Sequence, residues 1–325
     1  MKIVITGGAG FIGANLARHL VDEPWVDETV VIDDLSTGDK ENLAGMSTEL
    51  MIGSVLDADL LDAAFERAAA VVHLAAVPSV PRSVKDPLTS HHANATGTLM
   101  VLEAARRAGN PHVVVASSSS VYGANPALPK SEALRTEPLS PYAVSKLATE
   151  AYARAYANCY DLPVLPFRFF NVFGPLQPAG HAYAAVVPAF VDAAINEQPL
   201  VVHGDGRQTR DFTVVGSVCT VIAEAVRLQI TSADPVNLAF GTRRTLLDVI
   251  GELEGLLGHR VAVRHTDPRA GDVRDSQADN DRLTRLLPHI DPVPFAVGLD
   301  QTIAWFRSQA EGTTTSNITE GDHAR

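Results

Sequence analysis

The chain has 325 residues, 46% hydrophobic and 20% charged, enough for a large core and a second, smaller unit. Its formal net charge is −12 and no Lys/Arg stripe interrupts that acidity, which argues against a nucleic-acid partner. A phosphorylated ligand would have to be met by a few placed arginines. Cys159 and Cys219 lack a metal or redox spacing, so no metal site is expected, and no apolar run approaches the roughly 20 residues that span a bilayer. Met1 leads straight into an apolar strand, with no basic region, apolar stretch and cleavage site, and we expect a cytoplasmic protein without a membrane partner.

Short apolar runs alternate with helical patterns over the first half. Lys2–Thr6 reads as strand, Phe11–Asp22 as helix, Thr29–Asp33 and Leu50–Val55 as strands, Ala58–Ala68 as helix and Ala70–Ala75 as strand. A long helix is expected within Val84–Gly109, then a strand at His112–Ser118, a helix over Tyr142–Tyr160 and a strand at Val164–Phe170. Strands this continuously rich in Val, Ile and Leu are buried on both faces, and the repeated β-then-α order predicts a doubly wound parallel α/β sheet of Rossmann type. Beyond Asn171 the rhythm changes: a helix near Ala184–Asn196, a loop at His203–Gly206, a strand at Asp211–Val215 and a last helix near Gly298–Ser308. We expect a main α/β unit over 1–170 with a return at 209–240, a smaller unit over 171–310, and a polar, unstructured tail over 311–325.

Thr6-Gly7-Gly8-Ala9-Gly10-Phe11-Ile12-Gly13 lies between the first strand and the first helix. Glycines 8, 10 and 13 fit G-x-G-x-x-G, and glycines 7, 10 and 13 fit a wider variant. At that place bare backbone can approach a pyrophosphate, and the helix N-terminus offers N–H groups and positive dipole. Asp33 follows Gly13 at the end of the second strand, where a carboxylate can hold ribose hydroxyls and repel a 2′-phosphate; NAD is preferred over NADP.

Tyr142 and Lys146 stand at i and i+4 and would share a helix face that starts at Ser140-Pro141. A tyrosine with its usual pKa of about 10 is a poor base at neutral pH. A nearby ammonium and the positive nicotinamide of bound NAD⁺ would favour the phenolate. Ser117-Ser118-Ser119-Ser120 follows the strand HVVVA, at the strand end where such sheets bind ligands; alone, the serines would read as turn residues.

With these motifs in place the chain resembles the extended short-chain dehydrogenase/reductases, specifically the NAD-dependent nucleotide-sugar epimerases/dehydratases. The resemblance runs from Met1 to about Phe306 and rests on TGGAGFIG, HLAA at 73–76, SSSSVYG, SPYAVSK at 140–146, RFFNVFGP at 168–175, GDGRQTRDF at 204–212 and RAGDVR at 269–274. It implies that Ser118, Tyr142 and Lys146 are catalytic. It places NAD against Gly7, Gly10, Phe11, Ile12, Gly13, Asp33, Ser36, Thr37, Gly38, Ser54, Val55, Leu74, Ala75, Ala76, Asn94, Ser117, Tyr142 and Lys146. It places the substrate against Ser79, Arg82, Ser118, Ser119, Tyr142, Asn171, Ala185, Val186, Arg210, Arg269 and Ser276, with Asn171, Arg210 and Arg269 on the diphosphate. Relatives often carry Gly-Asp after the third strand, where this chain has Gly53-Ser54-Val55.

Dehydratases resembling this family carry an Asp-Glu pair at the positions of Ser119 and Ser120, and decarboxylases a Glu at that of Ser120. Hydroxyls cannot do that acid–base work. The resemblance therefore implies a UDP-sugar 4-epimerase. Small Ser276 favours UDP-GlcNAc/UDP-GalNAc, with UDP-Glc/UDP-Gal also accepted. A UDP-glucuronate 4-epimerase is the rival, since Arg82 could pair with a C6 carboxylate; a dehydratase or a non-catalytic NAD-binding regulator ranks lower. The resemblance also implies a homodimer formed through helices near 90–108 and 142–160. The stripe Leu99, Leu102, Ala105 could serve that contact or face the sheet.

Overall fold

The computed structural model describes residues 1–180, 184–267 and 274–319. β1 (Lys2–Thr6), α1 (Phe11–Val21), β2 (Glu28–Asp33), β3 (Glu49–Ile52), α2 (Ala58–Phe65) and β4 (Ala70–His73) follow the expected rhythm. β3 stops short of Val55 because Ser54 turns the chain and Asp57 then caps α2, accepting from the amides of Asp59 and Leu60.

The long helix expected within 84–109 runs continuously from Pro87 to Arg107, as α4 (Pro87–His91), a π-helical turn at His92–Thr96 and α5 (Gly97–Arg107), and a separate short helix, α3 (Val80–Lys85), precedes it. Pro87 disfavours helical backbone at Asp86, which ends α3 and caps α4 by accepting from Thr89 N. The π turn carries Asn94, whose side chain bonds both backbone groups of Val77 and the Ser145 hydroxyl.

β5 (His112–Ser118), α6 (Pro141–Tyr160) and β6 (Val164–Phe169) complete the first half. Beyond them come β7 (Val172–Phe173), α7 (Val186–Ile195), β8 (Leu200–His203), β9 (Thr209–Arg210) and β10 (Thr213–Val214). The strand expected over Asp211–Val215 is thus shorter, because Val215 opens α8 (Val215–Arg227). β11 (Val236–Leu238), β12 (Arg244–Thr245), α9 (Leu246–Leu257), β13 (Val263–Thr266), α10 (Asp281–Leu286) and α11 (Phe295–Thr319) close the chain. α11 runs through Thr319 where an unstructured tail was expected from 311, since each residue added to an existing helix gains a hydrogen bond without a new nucleus.

Seven parallel strands form the main sheet in the order β11-β6-β5-β4-β1-β2-β3, a doubly wound Rossmann arrangement. Alternate residues of a strand face opposite sides. Ile3 and Ile5 pack with Leu16, Val218 and Ile222 from α1 and α8, whereas Val4 packs with Leu61, Phe65, Leu102 and Ala153 from α2, α5 and α6. β11 and α8 bring residues beyond 209 back to this sheet. Leu102 and Ala105 are fully buried in it, with Leu99 packed alongside, so that stripe faces the sheet and is not free for a second subunit. A third core joins α7, α9 and α11 around Phe173, Phe212 and Phe295, whose ring centroids lie 5.0–6.2 Å apart.

Strand order reverses between β1 and β4. The carboxyl ends of β1, β4, β5 and β6 therefore open into one crevice, with the third core standing across it.

Candidate active site

The glycine turn is built by mutual contact. Gly7 takes φ +73°, which favours a residue without Cβ, and its N–H donates to Ile32 O. A Cβ on Gly7 would lie 2.6 Å from Ala75 N, and one on Gly8 would lie 2.6 Å from Val31 Cγ1. Gly10 differs: a Cβ there would meet only Gly7 O, at 3.3 Å, so its open side faces the crevice. α1 starts at this point with no side-chain cap and no acidic residue in its first turn, leaving its N-terminal dipole for an anion. The residues present thus fit a dinucleotide pyrophosphate.

Asp33 is buried, and burial, the largest influence, raises its pKa. Its Oδ2 accepts from Ala9 N and its Oδ1 from Leu35 N, both at 2.9 Å, so it ties the glycine turn to the loop carrying Ser36, Thr37 and Gly38. A Cβ on Gly38 would crowd that carboxylate at 3.0 Å. Capping and ribose binding are therefore compatible, since each oxygen keeps a further lone pair. Ser54 Oγ is engaged by Leu56 N, and Val55 is buried. Leu74 N and Ala75 N both bond Thr6, through its carbonyl and hydroxyl oxygens, and Ala76 follows them at the strand end.

At the end of β5 the strand alternation separates two serines that the sequence set side by side. Ser118 lies beside the Tyr142 phenol, whose pKa it lowers, and its Oγ accepts from Ser120 N. Ser117 points the other way and donates to Glu150 Oε1 in the interior. Its side chain thus lies on the face of β5 opposite to that of Ser118.

α6 begins as anticipated, with Ser140 Oγ accepting from Ala143 N and Pro141 in the first turn. Tyr142 N donates to Ser83 Oγ, which anchors α3 beside the phenol. Lys146 is buried and its Nζ donates to Ala116 O at 2.8 Å. Burial draws its pKa down to about 8. Burial also raises the Tyr142 pKa, with Ser118 opposing it, so in the protein alone the cost of burying the anion dominates.

On the substrate side, Asn171, Ala185, Val186 and Arg210 line one cleft, together with Phe173, His203, Gln208, Phe212 and Leu246. Asn171 sits at φ +34° and donates from Nδ2 to Asp211 O. Arg210 Nη1 donates to the carbonyls of Thr209 and Arg274. Ser276 N donates to Thr209 O, which sets it beside β9. Ser79, at the strained φ of 108°, caps α3 by accepting from Arg82 N. Ser119 begins the 3₁₀ turn after β5. Arg269 lies outside the described residues. Among the described residues no group of three His, Cys, Asp or Glu could hold a metal ion, and no helix is long and apolar enough to cross a membrane.

Residues 3–239 match the NAD dependent epimerase/dehydratase family. The chain belongs to that family. It is similar to the UDP-glucose 4-epimerase of Mycolicibacterium smegmatis, 36% identical over 96% of this chain and 100% of the relative. Among solved structures, it is similar to the UDP-N-acetylglucosamine 4-epimerase of Methanobrevibacter ruminantium in complex with UDP-N-acetylmuramic acid: TM-score 0.90, 34% identity, 95% and 98% of the two chains covered. The UDP-glucose 4-epimerase of Thermus thermophilus in complex with NAD gives a TM-score of 0.85 and 32% identity, covering 94% and 99%.

Several residues near the site of this epimerase/dehydratase family member lie within the quoted motifs but were given no role of their own. His73 bridges Thr6 Oγ1 (2.7 Å) and Thr98 Oγ1 (3.1 Å), and burial followed by the Lys146 charge lowers its pKa to about 3, so it stays neutral. Asp211 is fully buried with its pKa raised to about 6 by burial; it accepts from Ala278 N at 3.0 Å and Thr242 Oγ1 at 3.2 Å. Its place between Arg210 and Phe212 was the available clue. Arg168 and Glu150 form a buried fork, both bonds 2.8 Å, directly behind the serine loop.

Proposed function

We propose that the chain is an NAD-dependent isomerase, a 4-epimerase of UDP-sugars, acting on UDP-GlcNAc/UDP-GalNAc and also on UDP-Glc/UDP-Gal. One observation carries this reading: Tyr142 and Lys146 stand one turn apart on α6, with the Tyr142 phenol beside Ser118 at the end of β5. Ser119 and Ser120 follow, where an elimination would need carboxylates.

The turn at Gly7–Gly13 and the start of α1 would hold the pyrophosphate, and Asp33 the adenosine ribose. NAD, when bound, supplies the acceptor and then the donor of one hydride and sets a positive ring beside the phenol. Tyr142 takes the proton from O4 of the sugar, and Ser118 donates to that oxygen as it becomes a carbonyl. The 4-keto sugar turns within the cleft, and Tyr142 returns the proton after the opposite face has been reduced. Arg210, Asn171 and Arg269 would keep the diphosphate fixed while the sugar turns, since guanidinium forks suit phosphate oxygens.

Purified protein given each UDP-sugar without added reductant should interconvert UDP-GlcNAc and UDP-GalNAc, followed by NMR of the C4 proton. Release of a 6-deoxy-4-keto product would overturn the reaction type. A uronate substrate is the second reading, favoured by Arg82, whose guanidinium makes no ion pair among the described residues. Turnover of UDP-glucuronate alone would select it. A homodimer is also proposed, supported by Val84, Leu88 and Val144, exposed at 64%, 70% and 53% on α3, α4 and α6. Sedimentation equilibrium at twice the chain mass tests it.

A further inference from the structure

Behind the serine loop lies a polar cluster that the chemistry above does not use. Arg168, on β6, and Glu150, on α6, have side chains only 4% and 6% exposed. Nε and Nη2 of Arg168 meet Oε1 and Oε2 of Glu150, both at 2.8 Å. Ser117 donates its hydroxyl to the same Oε1, and its oxygen lies 3.4 Å from the Lys146 carbonyl. The guanidinium carbon of Arg168 stands 4.7 Å over the ring of Tyr122, which belongs to the turn that starts at Ser119. The Tyr122 hydroxyl donates to Asn237 Oδ1 at 2.6 Å, at the β11 edge of the sheet.

Arg168 therefore touches both halves of the proton-transfer geometry. Through Glu150 it grips α6 one turn beyond Lys146 and two beyond Tyr142; through Tyr122 it supports the loop that presents Ser118. Burying an ion pair seldom gains stability over apolar residues of like volume, whereas a planar bidentate fork fixes distance and orientation. We infer that the Arg168–Glu150 pair, with Ser117 and Tyr122, is a positioning device that sets the Ser118–Tyr142–Lys146 spacing. This rests on the 4-epimerase reading for its kinetic test, though not for its spectroscopic one.

The test uses the NAD-loaded full chain. Arg168→Lys keeps the charge and loses the fork, and it should lower kcat by about 10- to 100-fold with KM within about threefold, as expected when reacting groups are misplaced by a fraction of an ångström. The paired apolar variant Arg168→Met/Glu150→Leu should recover the thermal midpoint of the wild type but keep the low kcat. Recovery of kcat along with stability would overturn the inference, because the pair would then be structural only. Should either variant fail to fold, Ser117→Ala removes a single hydroxyl; it should lower kcat by about tenfold at unchanged KM, and wild-type kcat there would equally overturn it. Ultraviolet difference titration against Tyr142→Phe reads the Tyr142 phenol without substrate, and its midpoint should shift in Arg168→Lys. An unmoved midpoint overturns the inference. If the wild type turns over no UDP-sugar, the proposed function fails, while this titration still decides the positioning role.

Discussion

A Cβ placed on Gly13 would stand 2.3 Å from the carbonyl oxygen of Gly7 and 2.6 Å from the Cα of Gly8. Both neighbours are backbone, so neither can swing aside. Gly10 has only Gly7 O within reach, at 3.3 Å, and its φ of −79° suits any residue. Gly13→Ala should therefore lower stability by about 1–3 kcal/mol or more and abolish NAD retention. Gly10→Ala should leave the thermal midpoint unchanged or slightly higher, since the substitution restricts the unfolded chain. It should nonetheless lose NAD, because the added methyl occupies the pyrophosphate's approach. Scanning calorimetry and nucleotide release on denaturation check both; a Gly10→Ala protein that retains NAD would contradict this account of the crevice.

Lys146 gives activity and stability opposite pH trends. Its pKa in the fold is about 8, below the usual 10.5, because burial disfavours the charged form. Between those values the unfolded chain binds more protons than the native one, so the Lys146 contribution to stability rises with pH through that window and is lost as pH falls through 8. Activity runs the other way: kcat/KM should fall above about pH 8 as the ammonium that supports the Tyr142 phenolate disappears. Lys146→Arg, which does not titrate there, should keep a reduced rate without that alkaline limb. A limb that persists in Lys146→Arg would assign it to another group.

Much of the fold was readable because the first six main-sheet strands, β1 to β6, carry their own patterns: KIVIT and HVVVASS match β1 and β5 end to end, while the seventh, the three-residue β11, was too short to show one. The cofactor turn was readable for a similar reason, since its glycines answer to one another within seven residues. What escaped depends on partners far along the chain. The π turn after α4 is held by Asn94 reaching Ser145, 51 residues away. Asp211 meets Ala278 across 67 residues, and no local pattern announces such a bond. The inward direction of the Ser117 side chain could have been anticipated, because β5 continues through Ser118 and neighbours on a strand face opposite sides.

Ser276 offers a test of substrate choice. Its backbone amide is fixed on Thr209 O at 3.1 Å while its side chain is small and half-buried, so a larger side chain can be added without breaking the bridge to β9. Ser276→Tyr should reduce kcat/KM for UDP-GlcNAc by at least about tenfold while sparing UDP-glucose, the order of discrimination that a filled pocket gives. Parallel assays of both sugars read the ratio. Equal losses on the two would place the N-acetyl group elsewhere.

Asp211 links pH to the substrate cleft. Its carboxylate ties β9 to Thr242 and Ala278, and its own carbonyl receives the Asn171 amide. Burial raises its pKa to about 6 from 3.8, so between those values the native chain binds more protons than the unfolded one. Its contribution to stability is fully present below pH 3.8 and is lost as pH rises through 6. The thermal midpoint of the wild type minus that of Asp211→Asn should accordingly shrink from pH 5 to pH 7. A difference that grows over this range would mean that the carboxylate is favoured by the fold instead. In that variant the amide oxygen still accepts from Ala278 N, while its NH2 must donate to the Thr242 hydroxyl and so reverses that bond.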